Sequence, residues 1–432
     1  MQSQKKTFRR LLENITALTL LQLINYLVPL LTFPYLVRVL GIDAFGIFSF
    51  VLAVINYGII FTDYGFDLSA TRHISIHREN PKKINEIFSS VITIKIMMAL
   101  LFLIVLFLMT FTIDKFAQHM SLYFYGFGMV IGQVFFPIWF FQGIEKMRYI
   151  TFLNALAKII FAAAIILFVK SPQDLDLVFI FNALGAIVAG FIAFYIAIKT
   201  FNVHFSLQPL ERYLFYLKDA WYIFTSRIAV QLYQSLNIII LGFFVNNTLV
   251  GYFAVAEKIV RAISTIMSSV PRAIYPYMSK LYNESPLLFH KRNFQTSLGL
   301  LAITFPVAAT VWYFAPEILK LVTGNTPAPK LVTLLHILSP LLVVASYGNH
   351  FTNILVIYNE TKLLNKIVVT AGLLNLLLIF IAVHYFSVEG VAWLTLFIIS
   401  GVIIAPKAYF IFFGLNKTIS TRGRFKNKNE ER

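Results

Sequence analysis

The sequence is dominated by long apolar runs with few charges that recur from one end of the chain to the other. The first covers residues 14–37 and lies between Glu13 and Arg38. An apolar run of about 18–20 residues is long enough to cross a bilayer as an α-helix. Hydrophobic residues make up 59% of the 432 residues and charged residues only 13%, so little polar surface is available to cover a soluble fold. The sequence therefore predicts an all-α integral membrane protein.

Twelve such runs occur along the chain, and the loops between them are too short to form a soluble domain. The predicted spans cover residues 14–37, 44–67, 87–112, 119–142, 149–169, 176–198, 219–245, 248–278, 293–319, 331–357, 366–386 and 389–413.

Lys and Arg are concentrated in alternate loops. The loops on one predicted side, together with both chain ends, hold most of them. The opposite side has only Arg38, Lys115, Lys170, Lys320 and Lys330. Because Lys and Arg accumulate on the cytoplasmic side, an even number of spans with both termini cytoplasmic is predicted. The same asymmetry accounts for most of the net charge of +17, so we expect no nucleic-acid partner.

A weak internal repeat divides the chain into two halves. Leu40-Gly41 precedes Gly46-Ile47-Phe48, and Leu241-Gly242 precedes Gly251-Tyr252-Phe253. Both sites follow the first span of a six-span set, which predicts two six-helix bundles related by a pseudo-two-fold axis along the membrane normal. The predicted divisions are a first bundle at 1–200, a cytoplasmic linker at 201–217, a second bundle at 218–414 and a basic cytoplasmic tail at 415–432.

Three segments resemble signatures of bacterial polysaccharide transporters. Pro34-Tyr35-Leu36-Val37-Arg38-Val39-Leu40-Gly41 followed by Phe45-Gly46 resembles the first loop of that family. Trp139-Phe140-Phe141-Gln142-Gly143-Ile144-Glu145-Lys146-Met147 resembles the segment after the fourth helix and is the most specific of the three. Arg261-Ala262-Ile263, continuing to Pro271-Arg272-Ala273-Ile274-Tyr275-Pro276, resembles the eighth helix. The family is the O-antigen flippase branch of the multidrug/oligosaccharidyl-lipid/polysaccharide exporter superfamily.

The resemblance implies a V-shaped central cavity and transport by alternating access. It implies a polyprenyl-diphosphate-linked oligosaccharide as substrate, flipped from the cytoplasmic to the outer leaflet of the bacterial inner membrane for O-antigen-like polysaccharide synthesis. Membrane lipid, a polysaccharide polymerase and a chain-length regulator are the expected partners. No cofactor is expected, and a proton or sodium gradient is the candidate energy source.

Ionisable groups inside spans are costly and usually face a bundle interior or an aqueous cavity. The predicted spans contain the basic residues Lys95, Lys158, Arg227, Lys258, Arg261 and Arg272. The first five lie at depth, and Arg272 lies near the inner surface. One interpretation is a cationic cavity that receives the diphosphate, because guanidinium groups bind phosphate oxygens in bidentate fashion. The alternative is that the lysines extend to the cytoplasmic interface and anchor the helices there.

Helical spacing places some of these residues in polar stripes. One stripe on the eighth span contains Glu257, Arg261, Ser264 and Ser268, and one on the seventh contains Arg227, Gln231 and Gln234. Gln231, Gln22, Asn25 and Asn154 are further candidates for contacts with sugar hydroxyl groups. Hydrogen bonds between packed helices are the alternative use of such side chains. Glu257, one turn before Arg261, could instead neutralise it.

Asp63 and Glu257 are the carboxylates predicted to lie at depth. Asp63 could bind a coupling ion, or it could form an ion pair with Arg72 or a neighbouring lysine. Five deep basic residues against these two carboxylates leave an excess of three positive charges.

Two other functions compete with the flippase. A cation-coupled multidrug exporter of the same superfamily often carries cationic substrates, which a basic cavity disfavours. A membrane polymerase or ligase would need a sizeable outer loop, and the outer loops here are short. No metal site is predicted: the chain has no Cys, and His73 and His77 lack a third ligand.

Overall fold

A computed structural model describes the backbone of residues 2–414 and the side chains of residue 28 and residues 30–413. The described backbone is almost entirely helical and contains no strand. Its α-helices are α1 Gln2–Asp63, α2 Phe66–Ile76, α3 Pro81–Thr112, α4 Asp114–Ala117, α5 Met120–Phe135, α6 Ile138–Gly143, α7 Met147–Phe168, α8 Leu175–Thr200, α9 Leu210–Gln234, α10 Leu236–Phe244, α11 Asn247–Met267, α12 Ser269–Glu284, α13 Pro286–Tyr313, α14 Ala315–Thr323, α15 Pro329–Leu338, α16 Leu341–Ile357, α17 Thr361–Phe397 and α18 Ala405–Tyr409. A 3-10 turn, Pro172–Asp174, precedes α8, and π-helical segments, Ile398–Ile404 and Phe410–Gly414, flank α18.

The two longest helices each contain one residue with a non-helical backbone. Gly41 in α1 has φ 74° and ψ 169°, and Ser387 in α17 has φ 53° and ψ −142°. Glycine has no Cβ and tolerates the positive φ at position 41, whereas serine adopts it at a cost. Both breaks fall in loops that the sequence predicts between neighbouring spans.

Eight helical segments in the described part of the chain are long and apolar enough to cross a membrane. The bent pair α9 and α10, at 47°, supplies a ninth. Two of the eight, Leu30–Ile76 and Thr361–Phe413, contain the breaks at Gly41 and Ser387. Helices α11 and α12, where the sequence predicts the eighth span, are not among the nine. The all-α membrane fold is confirmed.

The apolar surface of the spans is arranged for lipid rather than water. Along α3, the side chains of Leu100, Ile104, Leu108 and Phe111 are all more than half exposed. A soluble monomer rarely exposes a continuous apolar face of this kind, whereas a lipid-facing helix requires one.

By its contacts the described chain divides into two compact units, with the division between Ile228 and Ala229. This division falls inside α9. The first part of α9 belongs to the first unit, where Asp219 pairs with Arg72 at 2.6 Å and Tyr216 donates a hydrogen bond to Glu86 at 3.0 Å. The domain bounds drawn from the sequence stay a prediction.

The segment most specific to the family resemblance lies in the core of the first unit. Trp139, Phe140 and Phe141 are at most 2% exposed. The rings of Trp139 and Phe140 contact the ring of Phe88, and Phe141 packs in the same core cluster. The end of the segment is held by Arg78, which donates to the carbonyl of Gly143 at 3.1 Å and pairs with Glu145 at 3.1 Å. Glu145 itself has a positive φ of 58°. These contacts give the segment a packing role.

Helices α5 and α8 approach each other through small residues. A Cβ added to Gly190 would lie 2.3 Å from the carbonyl oxygen of Gly132, and one added to Gly132 would lie 2.6 Å from the Cβ of Ala186. Gly128 meets Ala183 in the same way, at 2.6 Å. Small residues at four-residue spacing allow helices in membranes to come this close.

The second unit combines an aromatic core with a buried polar network. Phe289, Phe351 and Tyr358 pack with Met278 in the core cluster. Elsewhere in the unit, the amide of Asn237 donates to Thr395 Oγ1 at 2.8 Å, and Asn375 donates to Asn237 Oδ1 at 2.9 Å and to the carbonyl of Leu232 at 2.8 Å. The network joins α9, α10 and α17 where α9 bends into α10.

Candidate functional site

Asp63, the last residue of α1, forms an ion pair inside the first unit. Its carboxylate lies 2.8 Å from Nζ of Lys95 on α3, whose side chain is 1% exposed. Lys95 also donates to the carbonyl of Gln133 at 2.8 Å, and the Gln133 amide donates to Asp63 at 3.1 Å. The pairing with a neighbouring lysine that the sequence allowed is therefore present, and it involves Lys95. Arg72 pairs with Asp219 instead.

Gln133, which contacts both members of this pair, also lines a small and mostly apolar cavity of about 170 Å³. Gln133 lines it together with Asn154, Lys158 and Asn182. Two of the predicted substrate contacts, Asn154 and Lys158, thus share one cavity in the first unit, among otherwise apolar residues of α5, α7 and α8.

Arg227 lies in the part of α9 that belongs to the first unit. Its guanidinium forms a short ion pair with Asp67, near the start of α2. The other oxygen of Asp67, Oδ1, is buried and has no hydrogen-bond partner among the described residues. Arg227 is about one-third exposed, so its guanidinium is only partly enclosed by this pair.

Arg261 and Glu257 form the ion pair that their i, i+4 spacing allows. Arg261 Nη2 lies 2.5 Å from Glu257 Oε1 and also donates to the carbonyl of Gln234 at 2.8 Å. Glu257 is 14% exposed, whereas Arg261 is 48% exposed. One face of the guanidinium is therefore accessible, and both residues line a cavity of about 270 Å³ in the second unit.

The same cavity contains Lys407, a basic residue that the sequence analysis missed. It lies in α18 and is 3% exposed, and its Nζ donates to Thr352 Oγ1 at 2.9 Å. The available signal was a lysine inside the apolar run 389–413. Its position about 9 Å from the cytoplasmic end of that run, at 1.5 Å per residue, makes it resemble an interface anchor.

The remaining predicted contacts are dispersed. Gln231 donates to Ser235 Oγ at 3.0 Å, at the bend between α9 and α10. Lys258 is half-buried next to Glu257 on α11 but does not line the 270 Å³ cavity. The side chains of Gln22 and Asn25 lie outside the described residues.

Lys95, Arg227 and Arg261 each have a carboxylate partner. The sequence count of charges left out Asp67, because that residue falls at the predicted edge of a span. It also left out Lys407. No group of three or more metal-binding side chains occurs among the described residues.

The chain is therefore a membrane protein. Its helices form a multi-pass bundle, and ionisable groups inside the bundle lie around cavities. The chain belongs to the polysaccharide biosynthesis protein family, whose model matches residues 11–282. The resemblance drawn from the three sequence segments is therefore confirmed.

Similar proteins extend over nearly the whole chain. A relative from Escherichia coli K12 is 33% identical over 399 residues, which cover 91% of this chain and 94% of the relative. A relative from Shigella dysenteriae is 24% identical over 397 residues, which cover 89% and 96%. Both carry the name "Putative O-antigen transporter".

Two solved structures share the fold. The lipid II flippase MurJ, in an inward closed conformation, matches with a TM-score of 0.70 at 14% identity, over 92% of this chain and 87% of its own. A multidrug resistance MATE family transporter in an inward-facing conformation matches with a TM-score of 0.58 at 19% identity, over 95% and 99%. At these identities the likeness concerns the fold alone.

Proposed function

We propose that this protein is a flippase for polyprenyl-diphosphate-linked oligosaccharides. It moves repeat units from the cytoplasmic to the outer leaflet of the bacterial inner membrane by alternating access, with both termini in the cytoplasm. A polymerase and a chain-length regulator then use the translocated units to build an O-antigen-like surface polysaccharide.

One observation carries the proposal: the match to the Escherichia coli relative over 91% of the chain. At 33% identity over this length, the chain keeps the transporter scaffold of a protein named for O-antigen transport. The MurJ fold, seen in a protein named for flipping lipid II, is compatible with the same reaction class.

The charges inside the spans support an anionic substrate. A diphosphate cannot cross hydrocarbon without partners for its charges, because removing an ion from water costs several kcal/mol or more. Arg261 presents a half-exposed guanidinium to a cavity, and Lys407 is buried beside it. Such groups replace part of the hydration of phosphate oxygens.

Coupling to a proton or sodium gradient is part of the proposal. Asp63 and Glu257 are its candidate carboxylates. Each of these carboxylates forms an ion pair with a basic residue. Protonation of the carboxylate would break its ion pair, so coupling would cause a structural change that can be measured.

The test is deletion of the gene followed by analysis of membrane lipids. We expect the lipid-linked repeat unit to accumulate in the inner leaflet, where an impermeant sugar-binding probe labels it in inside-out vesicles but not in spheroplasts. A plasmid copy of the wild-type gene should restore surface polymer.

An exposed-lysine variant, Lys320→Gln, provides the matched control and should complement like the wild type. Unchanged lipid-linked intermediates together with greater sensitivity to cationic drugs would contradict the flippase and favour a multidrug exporter. Loss of polymer without accumulation of any lipid-linked intermediate would contradict both.

A further inference from the structure

The cavity of about 270 Å³ in the second unit has a polar wall. The family resemblance does not explain why this wall is polar. Its polar lining includes Tyr233, Arg261, Ser264, Asn349, Thr352 and Lys407. At about 30 Å³ for each water, this volume equals about nine waters, which is room for a phosphoryl group with its hydration.

Lys407 is the most unusual residue of this wall. It is 3% exposed, and the hydrogen bond to Thr352 is the only one that its ammonium group makes to the described residues. No carboxylate of the described chain lies within 4.0 Å of its Nζ. An ammonium group has three donors, so two donors of Lys407 are left for a ligand or water.

The electrostatics of the wall favour an anion. Arg261 and Lys407 contribute two positive charges and Glu257 one negative charge, which leaves a net charge of one positive. A buried ammonium without a counter-ion is unfavourable, and a negatively charged ligand removes that penalty. Tyr233, Ser264 and Asn349 can donate hydrogen bonds to the same ligand.

We propose that this cavity is a subsite for a phosphoryl group of the transported lipid, bound directly by Lys407 and by the accessible face of Arg261. This inference rests on the proposed flippase function and adds Lys407 and the second unit's cavity as the place where the phosphate binds. Arg261 keeps its pair with Glu257 and supplies its remaining donors.

Thermal unfolding of the purified full-length protein in detergent tests the subsite, with inorganic diphosphate as the probe. We expect diphosphate to raise the Tm of the wild type and of Lys407→Arg but not of Lys407→Met. Without diphosphate, Lys407→Met should unfold at the same or a higher temperature than the wild type, because it removes a buried charge. The exposed-lysine control, Lys320→Met, should keep the full diphosphate response.

Complementation of a flippase-deficient strain gives the second readout, as surface polymer per unit of membrane protein. We expect Lys407→Met to lose at least tenfold and Lys407→Arg to retain part of the activity. If the wild type itself fails to complement, the proposed function is wrong. If the wild type complements and Lys407→Met is equally active and equally stabilised by diphosphate, the subsite alone is wrong.

Three other outcomes would also overturn the assignment. A lower Tm for Lys407→Met with an intact diphosphate response would make Lys407 a structural partner of Thr352. Stabilisation by glucuronate and not by diphosphate would assign the cavity to a sugar carboxylate. Equal stabilisation by glycerol phosphate and by diphosphate would assign it to phospholipid head groups of the bilayer.

Discussion

Lys95 is held by the carboxylate of Asp63 and the carbonyl of Gln133. We predict that Asp63→Asn destabilises the protein by about 3–5 kcal/mol, because it leaves a buried ammonium without its counter-ion. The double variant Asp63→Asn with Lys95→Met should recover most of this loss, since neither charge then remains. Thermal unfolding and abundance in the membrane measure both effects.

The same variants separate the two roles of Asp63. If Asp63→Asn keeps its stability but its transport no longer depends on the ion gradient, coupling is the better description of Asp63. If stability falls and the gradient dependence of the remaining activity is unchanged, the ion pair with Lys95 is structural.

Arg261 can be tested against its own partner. We predict that Arg261→Ala abolishes surface polymer while the protein still reaches the membrane, and that Arg261→Lys keeps part of the activity because a point charge survives. The measurement is complementation normalised to membrane protein. Rescue of Arg261→Ala by Glu257→Gln would contradict a substrate contact, because it would show that the arginine serves only to neutralise Glu257.

Arg227 offers the parallel comparison in the first unit. We predict loss of surface polymer for Arg227→Ala at normal abundance and partial activity for Arg227→Lys. The pair with Asp67 provides the control, because a purely structural Arg227 would be rescued by Asp67→Asn.

The sequence predicted the local ion pair and allowed a pair between Asp63 and a lysine, but it missed the pair between Arg227 and Asp67. Glu257 and Arg261 are one turn apart on one helix, so their spacing alone indicates that they can meet. Arg227 and Asp67 are far apart in the sequence, and only the packing of α9 against α2 brings them together. The charge count along the chain omitted Asp67 and Lys407, one charge of each sign, so its excess of three positive charges is unchanged. It could not show which basic residues are paired, because it carries no information on long-range contacts.

At the scale of helices, the crossing of α5 and α8 depends on the absence of side chains. We predict that Gly190→Ala lowers stability by about 1–3 kcal/mol, because the added Cβ would lie 2.3 Å from the carbonyl oxygen of Gly132 and the helices must separate. Thermal unfolding in detergent measures the change.

Gly299 on α13 provides the matched control, because no atom beyond the adjacent backbone of its own helix and its two chain neighbours lies within 4 Å of its added Cβ. We expect Gly299→Ala to leave stability unchanged or to raise it by up to about 1 kcal/mol through helix propensity. Equal effects of the two substitutions would show that the α5–α8 contact is not tight.

Hydropathy predicted the spans well and their internal breaks less well. The loops at Gly41 and Ser387 fall where charged or small residues interrupt apolar runs. The break that divides the predicted eighth span into α11 and α12 falls at Ser268-Ser269, just before Pro271 and Arg272, a local signal that the span prediction did not use. The bend at Ser235 depends on the buried contacts of Asn237 with Asn375 and Thr395, which no local pattern reveals.

For the whole molecule, the alternation of charged loops gives a topology that can be measured directly. Reporter fusions after Asn247 and after Lys417, a position outside the described residues, should give opposite signals, outside and cytoplasmic respectively. Matching signals would contradict the twelve-span arrangement.

The overall fold was predictable because its cause is simple. In lipid every backbone polar group must be hydrogen-bonded within the protein, and apolar runs long enough to cross the bilayer do this as α-helices. The positions of the polar cavities were not predictable. They depend on which faces of several helices meet, and the residues of the second unit's cavity come from α9, α11, α16 and the end of the chain's last span.

The Trp139–Met147 segment has a consequence for comparing members of this family. The aromatic side chains of the segment pack in the core of the first unit, and Arg78 forms an ion pair near the end of the segment. The segment therefore contacts other residues of the protein itself. A search that ranks chains by their similarity in this segment therefore groups them by fold. Two chains that share the segment can therefore differ in the residues that line their cavities, such as Asn349 in this chain, so the segment carries no information on what either chain binds.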